Sequence, residues 1–280
     1  MSERSPRKGV SLHAHLHGLF VEEDGDEEAP VVAVVHGSMD RAAGMIRVAR
    51  RLKGRSRVLR YDRRGYGRSA HEGPFGMDAQ VEDLLAVLRG RRAVLVGHSY
   101  GGNVVLATAA RHPDLVAAAA IYETPLSWAS WWPASSAGSR AVDEPGTTAE
   151  AGERFMRRMI GDQRWDELPE RVRRQRRAEG AALDGELGDL RVNPPWHPDD
   201  LHVPVVFGYG TRGAAHHQRA MAAAAEMVPG AQLVVLDDCG HDAPLRRAEQ
   251  LVAELVEPAL IAAGPPWAAS TDVGGRSLAT

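Results

Sequence analysis

The sequence predicts an α/β fold, a mostly parallel central sheet flanked by helices (an α/β sheet protein with a helical insertion). Three observations carry this. Short continuous apolar runs alternate with segments of helical spacing over residues 31–122. The same alternation resumes at residue 203. Between the two lies a stretch of different composition, rich first in tryptophan and then in arginine. Alternation of strand and helix implies parallel strands joined by right-handed crossovers.

Residues 10–22 read as one or two short strands. His13, His15 and His17 alternate along them, so on a strand they share one face. Three histidines on one face suit a metal, but no fourth ligand accompanies them, and a sheet edge facing water accounts for them as well. Residues 22–28 are acidic and turn-like. Val31–Val35 (VVAVV) reads as a strand buried on both faces, ended by His36-Gly37. Residues 41–53 have helical spacing. Residues 58–61 form a strand, followed by the glycine-punctuated loop from Asp62 to Ser69. Residues 77–88 are an amphipathic helix with Val81, Leu84, Leu85 and Leu88 on one stripe. A strand at 93–96, a small-residue helix at 101–111 and a strand at 116–122 follow. The later half supplies a strand at 203–207, a helix at 218–227, a strand at 232–236 and a helix at 248–262.

The composition shift over residues 124–200 marks an insertion, read as a helical cap. It opens with Trp128, Trp131 and Trp132. Its basic run, Arg171, Arg173, Arg174, Arg176 and Arg177, reads as a solvated helix face tempered by Glu167, Glu170, Glu179, Asp184 and Glu186. The expected division is a core at 1–123 and 201–264, the cap at 124–200, and a loosely ordered tail at 265–280 rich in Pro, Gly, Ser and Ala.

With 280 residues, 44% of them hydrophobic, the chain supports a sizeable core and is not globally disordered. A formal net charge of −3 gives no reason to expect nucleic acid or an acidic membrane surface as partner. The single cysteine, Cys239, excludes an intrachain disulfide and fits a reducing compartment. Residues 1–10 lack the apolar stretch of a signal peptide, and no apolar run approaches the ~18 residues of a membrane span. The expectation is a cytoplasmic protein, monomer or homodimer, acting on a small molecule.

The strongest chemical signal is Gly97-His98-Ser99-Tyr100-Gly101, directly after a strand and before a helix. A G-x-S-x-G turn in that setting holds the serine in a strained bend that lifts its hydroxyl out of the sheet. The N–H of Tyr100 then points to where an oxyanion would develop. His36-Gly37-Ser38-Met39 ends an earlier strand, and sites in such sheets form beyond the carboxyl ends of strands. Ser38 or Met39 is therefore the expected second oxyanion donor. Gly240-His241-Asp242 follows the last strand, which puts His241 within reach of Ser99 as general base. His98 is expected to point into packing. His112, His197, His202, His216 and His217 are weaker alternatives, most of them expected at the surface.

With these motifs the chain resembles the α/β-hydrolase family over residues 31–123 and 203–262. The loop Asp62-x-Arg64-Gly65-x-Gly67-x-Ser69 is similar to that of cap-bearing members, and the order serine, acid, histidine is the family's. The resemblance implies a nucleophilic Ser99, a basic His241, an orienting carboxylate and an oxyanion hole. The departure is the acid. The family places it in a G-x-x-D turn after the strand at 203–207, but here the turn reads Gly210-Thr211-Arg212-Gly213. Glu123, at the end of the strand 116–122, is the first replacement, an arrangement some members show. Asp237 or Asp238, near His241, is the second, and loss of the acid is the third.

The reading is thus a serine hydrolase working through an acyl-enzyme on an ester-type bond of a small apolar substrate (carboxylic ester, thioester, lactone or amide), with no metal or organic cofactor required. Two other readings stay open: an acyltransferase or cyclase using the same serine, and a non-catalytic binding protein of the same fold that lost its acid.

Overall fold

The structure, a computed structural model, describes residues 12–69 and 72–267. Its described strands are β1 (Leu12–Leu16), β2 (Leu19–Asp24), β3 (Val31–Val35), β4 (Arg57–Tyr61), β5 (Ala93–His98), β6 (Val116–Tyr122), β7 (Val205–Gly210) and β8 (Gln232–Leu236). They form one sheet in the order β1-β2-β4-β3-β5-β6-β7-β8. β1 and β2 run antiparallel, and β2 joins β4 antiparallel. Every later pairing is parallel.

β1 and β2 make a hairpin with Leu16 opposite Leu19. His17 and Gly18, both at positive φ (49° and 82°), form its two-residue turn, the geometry that matches strand twist. His17 therefore leaves the face it was expected to share, and the side chain of His13 lies outside the described residues. Among the described residues no cluster of three or more His, Cys, Asp or Glu is arranged to hold a metal.

β3, β6 and β5 up to Gly97 are built of apolar residues because helices cover both faces. Along β5, Ala93 and Leu95 enter one layer, with Val81 and Leu84 of α2 (Met77–Leu88) and Val104 and Val105 of α3 (Tyr100–Arg111). Val94 and Val96 enter the other, with Val48 and Leu52 of α1 (Ile46–Leu52) and Leu251 and Leu255 near the end of the chain. Boundaries differ from the sequence reading where local chemistry decides. β7 starts at Val205 because Pro204 has no N–H to donate; its carbonyl accepts from Ala119 N at 2.9 Å. The helical run 248–262 contains a π-turn at Val252–Val256. Trp267, assigned to the loose tail, is buried, and its Nε1 donates to Val31 O at 2.9 Å. Residues 268–280 of that tail and residues 1–11 lie outside the described residues.

Between β6 and β7 the chain leaves the sheet and forms α4 (Ala137–Asp143), α5 (Thr148–Ile160), α6 (Asp162–Asp166), α7 (Glu170–Ala178) and α8 (Gly180–Val192). α5 starts with a capping box: Glu150 N donates to Thr147 Oγ1 at 3.2 Å, and Thr147 N donates to Glu150 Oε2 at 2.7 Å. Two of the acids set around that basic run, Glu179 and Glu186, are buried against the sheet-end loops. Glu186 pairs with Arg63 at 2.6 Å, both side chains at 0% exposure, and accepts from Tyr66 OH at 2.7 Å. The Arg63 guanidinium also lies 4.7 Å from the centre of the Tyr100 ring. Glu179 accepts from Arg41 at 2.6 Å and from Gly67 N at 2.9 Å. Arg176 donates to Met39 O at 2.6 Å. The physical reason is that α7 and α8 turn one face onto the loops after β3 and β4, whose backbone donors and arginines need buried acceptors. No helix among the described residues is long and apolar enough to cross a membrane.

Candidate active site

The site is assembled where β3, β5, β6 and the chain after β8 end on one edge. β5 stops at His98 and α3 begins at Tyr100, so Ser99 is the whole connection. Its φ of 53° and ψ of −130° are strained for a residue with a Cβ, and such strain is kept only where the surroundings enforce it. Here they do: Ser99 N donates to Tyr122 O at 2.9 Å, and Thr124 Oγ1 donates to Ser99 O at 2.6 Å. Gly101 is needed because a Cβ there would overlap the carbonyl oxygens of Val35 and His36.

Those carbonyls belong to the end of β3, which brings Ser38 and Met39 to the cavity that Ser99 lines. The loop is braced from both sides. His36 is fully buried; its Nδ1 donates to Gly37 O at 2.7 Å, and its Nε2 accepts from Arg63 N at 2.8 Å. Burial, reinforced by the Arg63 charge, holds the His36 pKa well below that of a free imidazole, so the ring is neutral. Met39, at φ 55°, has its carbonyl held by Arg176. Tyr100 sits at the first position of α3, where unpaired N–H groups and the helix dipole favour negative charge.

His241 follows β8, and its Nδ1 lies 2.7 Å from Glu123 Oε2. Glu123 is fully buried at the end of β6, and its Oε1 accepts from Gly210 N at 3.0 Å. Both carboxylate oxygens are thereby used, one of them on the histidine. Gly213 abuts this carboxylate: a Cβ there would overlap Glu123 Oε1. The other two acids go elsewhere. Asp237 accepts from Thr211 Oγ1 at 3.2 Å, and Asp238 pairs with Arg212 and Arg247 at the surface.

His98 does turn inward, and its Nε2 donates to His241 O at 2.9 Å. Burial pushes its pKa down to about 3. His216 and His217, read as surface residues, are instead part of this cluster. The His217 ring stacks on His241, centroids 4.7 Å apart and planes within 20°. Trp132 covers both, its ring centre 4.8 Å from His216 and 5.5 Å from His217. Burial lowers the pKa of each, most strongly at His217. The available signal was position: both open α9 (Ala215–Met227), just beyond the carboxyl end of β7. His241 is thus held by its edge on Glu123, with the neutral His217 ring stacked on it and the neutral His98 ring tilted against it, centroids 4.7 Å apart. Of the other tryptophans, Trp128 meets Trp196 edge-on at 5.7 Å, and Trp131 lies against Trp132.

Two cavities meet at Ser99. The larger, about 930 Å³, is lined by Met39, Phe155, Met156, Arg176 and Leu245 among others. The smaller, about 230 Å³, is lined by Pro125, Ser127, Trp132, Leu187 and His217 among others. Ser38, Ser99 and His241 border both.

A sheet of this order with an elbow serine after its central strand defines an alpha/beta hydrolase. The model of the Alpha/beta hydrolase family matches residues 32–255, and the chain belongs to that family. It is 29% identical over 157 residues to the sn-1-specific diacylglycerol lipase of Danio rerio, covering 54% of this chain and 50% of that protein. It is 39% identical over 105 residues to the bifunctional esterase/perhydrolase of Acinetobacter calcoaceticus, covering 34% and 37%. The chain therefore spans half or less of the length of these curated relatives. Among solved structures, the enol-lactonase of Burkholderia xenovorans superposes with a TM-score of 0.65 at 25% identity, covering 86% of this chain and 97% of that one. A thermophilic esterase of Thermogutta terrifontis gives 0.66 at 22% identity, covering 87% and 96%, a likeness of fold.

Proposed function

We propose that the protein is a serine hydrolase that cleaves carboxylic esters of small molecules through an acyl-enzyme. The observation that carries this is the Glu123 carboxylate on His241 Nδ1, 2.7 Å away, at the sheet edge where Ser99 forms a strained elbow. In this reading Ser99 Oγ attacks the ester carbonyl while His241 Nε2 takes its proton. Glu123 holds the Nδ1–H and stabilises the imidazolium. The N–H groups of Tyr100 and of Ser38 or Met39 donate to the oxyanion. Collapse breaks the bond to the alcohol, which leaves with the proton from His241. Water then repeats the sequence on the acyl-enzyme and releases the acid. Residues 124–200 serve as a cap, tied to the sheet-end loops through Glu186, Glu179 and Arg176. The relatives' names (lipase, esterase, enol-lactonase) support an ester-type bond. The ground for a non-catalytic reading was Gly213, and Glu123 supplies a carboxylate against that very position.

The test is hydrolysis of p-nitrophenyl butyrate together with labelling by a fluorophosphonate probe. Turnover and labelling are expected of the parent protein and lost in Ser99→Ala. Equal turnover by Ser99→Ala, or a parent protein that does not label, would refute the assignment.

A further inference from the structure

We propose that the smaller cavity is an acyl chamber for a short or single-ring acyl group bearing a hydroxyl, which Ser127 and His217 recognise. The inference rests on the ester-hydrolase reading above and adds the acyl class.

The reacting carbonyl must sit at Ser99, where the two cavities join, so acyl group and alcohol occupy different sides. Order of departure assigns the sides. The alcohol leaves first and water enters in its place, while the acyl group stays bonded to Ser99 through both steps. The larger cavity is bordered by exposed residues, Leu245 and Arg246. The smaller, a quarter of its volume, is lined by buried Pro125, Ser136, Ser139 and Leu187 and by Trp132 from the insertion, and also by exposed Met159, Arg212 and Ala214. The larger side suits the alcohol that departs and the water that replaces it, and the smaller suits the acyl group that stays.

Size sets the first limit. A volume of about 230 Å³ exceeds the ~150 Å³ of a dry cavity that takes benzene. One ring with a linking carbon and a substituent fits, and a ten-carbon chain does not.

Unspent hydrogen-bonding capacity sets the second. Among the described residues, Ser127 Oγ and His217 Nδ1 are buried with no hydrogen-bond partner, and both residues line this chamber. The neighbouring serines are engaged: Ser136 Oγ donates to Ser139 Oγ at 2.9 Å and accepts from Trp132 Nε1 at 3.2 Å. Buried polar groups in folded proteins nearly always have partners, so two unpaired ones on residues that line one chamber point to a polar ligand group. A serine hydroxyl reaches into the chamber by one rotamer step and both donates and accepts. The neutral His217 ring offers one donor and one acceptor. A ligand hydroxyl matches both, whereas a purely aliphatic acyl group leaves them unpaired.

The experiment compares p-nitrophenyl phenylacetate with the 3- and 4-hydroxyphenylacetates and with the decanoate, each kcat/KM divided by the ester's own hydroxide-catalysed rate. The better hydroxylated ester is expected to exceed phenylacetate by about tenfold, the worth of one or two neutral hydrogen bonds. Decanoate is expected to fall below phenylacetate by a similar factor. Ser127→Ala and His217→Phe, the latter keeping an aromatic face for His241, are expected to bring the hydroxyl preference towards one. A ratio of one in the parent protein, a preference indifferent to both variants, or a preference that follows the alcohol in a series of phenylacetate esters would each overturn the proposal. The parent comparison stands even if a variant fails to fold. If no ester is turned over and Ser99 does not label, the hydrolase reading falls and this one falls with it, a result unlike the other three.

Discussion

The carboxylate of Glu123 fills the space that a side chain at Gly213 would need, with Oε1 in the path of a Cβ at that glycine. An acid reaching His241 from the turn after β7 and one reaching it from the end of β6 are therefore mutually exclusive. Glu123 itself sits at φ 46°, a conformation glycine adopts without strain, whereas Gly213 is not at positive φ. The pair can thus be exchanged. Gly213→Asp alone is expected to lose activity, because the new side chain displaces Glu123, and Glu123→Gly alone because no acid remains. The double variant Glu123→Gly/Gly213→Asp is expected to recover at least tenfold over either single change, measured as kcat/KM on p-nitrophenyl butyrate. A double variant no better than the worse single one would show that the carboxylate cannot be relocated.

A milder change isolates the charge. Glu123→Gln keeps the length of the side chain, but its amide no longer stabilises an imidazolium and can impose the wrong histidine tautomer. By analogy with an aspartate-to-asparagine change in a serine protease triad, kcat is expected to fall by about 10³- to 10⁴-fold. The circular dichroism spectrum is expected to stay that of the parent. A loss below tenfold would leave Glu123 a structural anchor for Gly210 and remove it from the chemistry.

What was legible in the sequence follows from the range of each interaction. Ser99 could be found because strand, turn and helix are contiguous over residues 93–111, and the glycines that admit the bend, Gly97 and Gly101, lie two positions to either side of it. The strand pattern was legible because β3, β6 and β5 up to Gly97 are covered on both faces and so are built of apolar residues. Glu123 could be placed only as one of several acids, since its bond to His241 spans 118 positions. Glu186 and Glu179 carried no local mark, and His217 only its position just beyond the carboxyl end of β7. Their side chains are read correctly only once α7, α8 and α9 are known to face the sheet-end loops, and charged or histidine residues on a helix otherwise point to water.

The Arg63–Glu186 pair gives a stability prediction. Both side chains are fully buried, so removing one partner strands a charge in the interior. Glu186→Leu is expected to destabilise the protein by about 3–5 kcal/mol, and Arg63→Met by a similar amount. The double variant Arg63→Met/Glu186→Leu is expected to be less destabilised than the sum of the single changes, because two apolar side chains replace two paired charges. Urea unfolding of the four proteins measures this. Additive losses would mean that the two groups do not act as a pair.

The last prediction concerns acid. His36 is buried and neutral, with Nε2 accepting from Arg63 N and Nδ1 donating to Gly37 O, so a second proton would break the bond to Arg63. Burial and the Arg63 charge keep its folded pKa well below 6.5. In the unfolded chain the ring protonates near pH 6.5, so below that pH the unfolded state binds a proton that the folded state does not. Stability from this group is complete above pH 6.5 and is lost as the pH falls, by about 1.4 kcal/mol per pH unit. His98 and His217 act in the same direction, His98 down to its folded value of about 3. The urea midpoint of the parent protein is therefore expected to fall steadily from pH 7 to pH 5. In His36→Gln, whose side chain does not titrate, the slope of unfolding free energy between pH 6 and pH 5 is expected to be shallower by about one proton's worth. Identical slopes in the two proteins would show that His36 takes up its proton in the folded state.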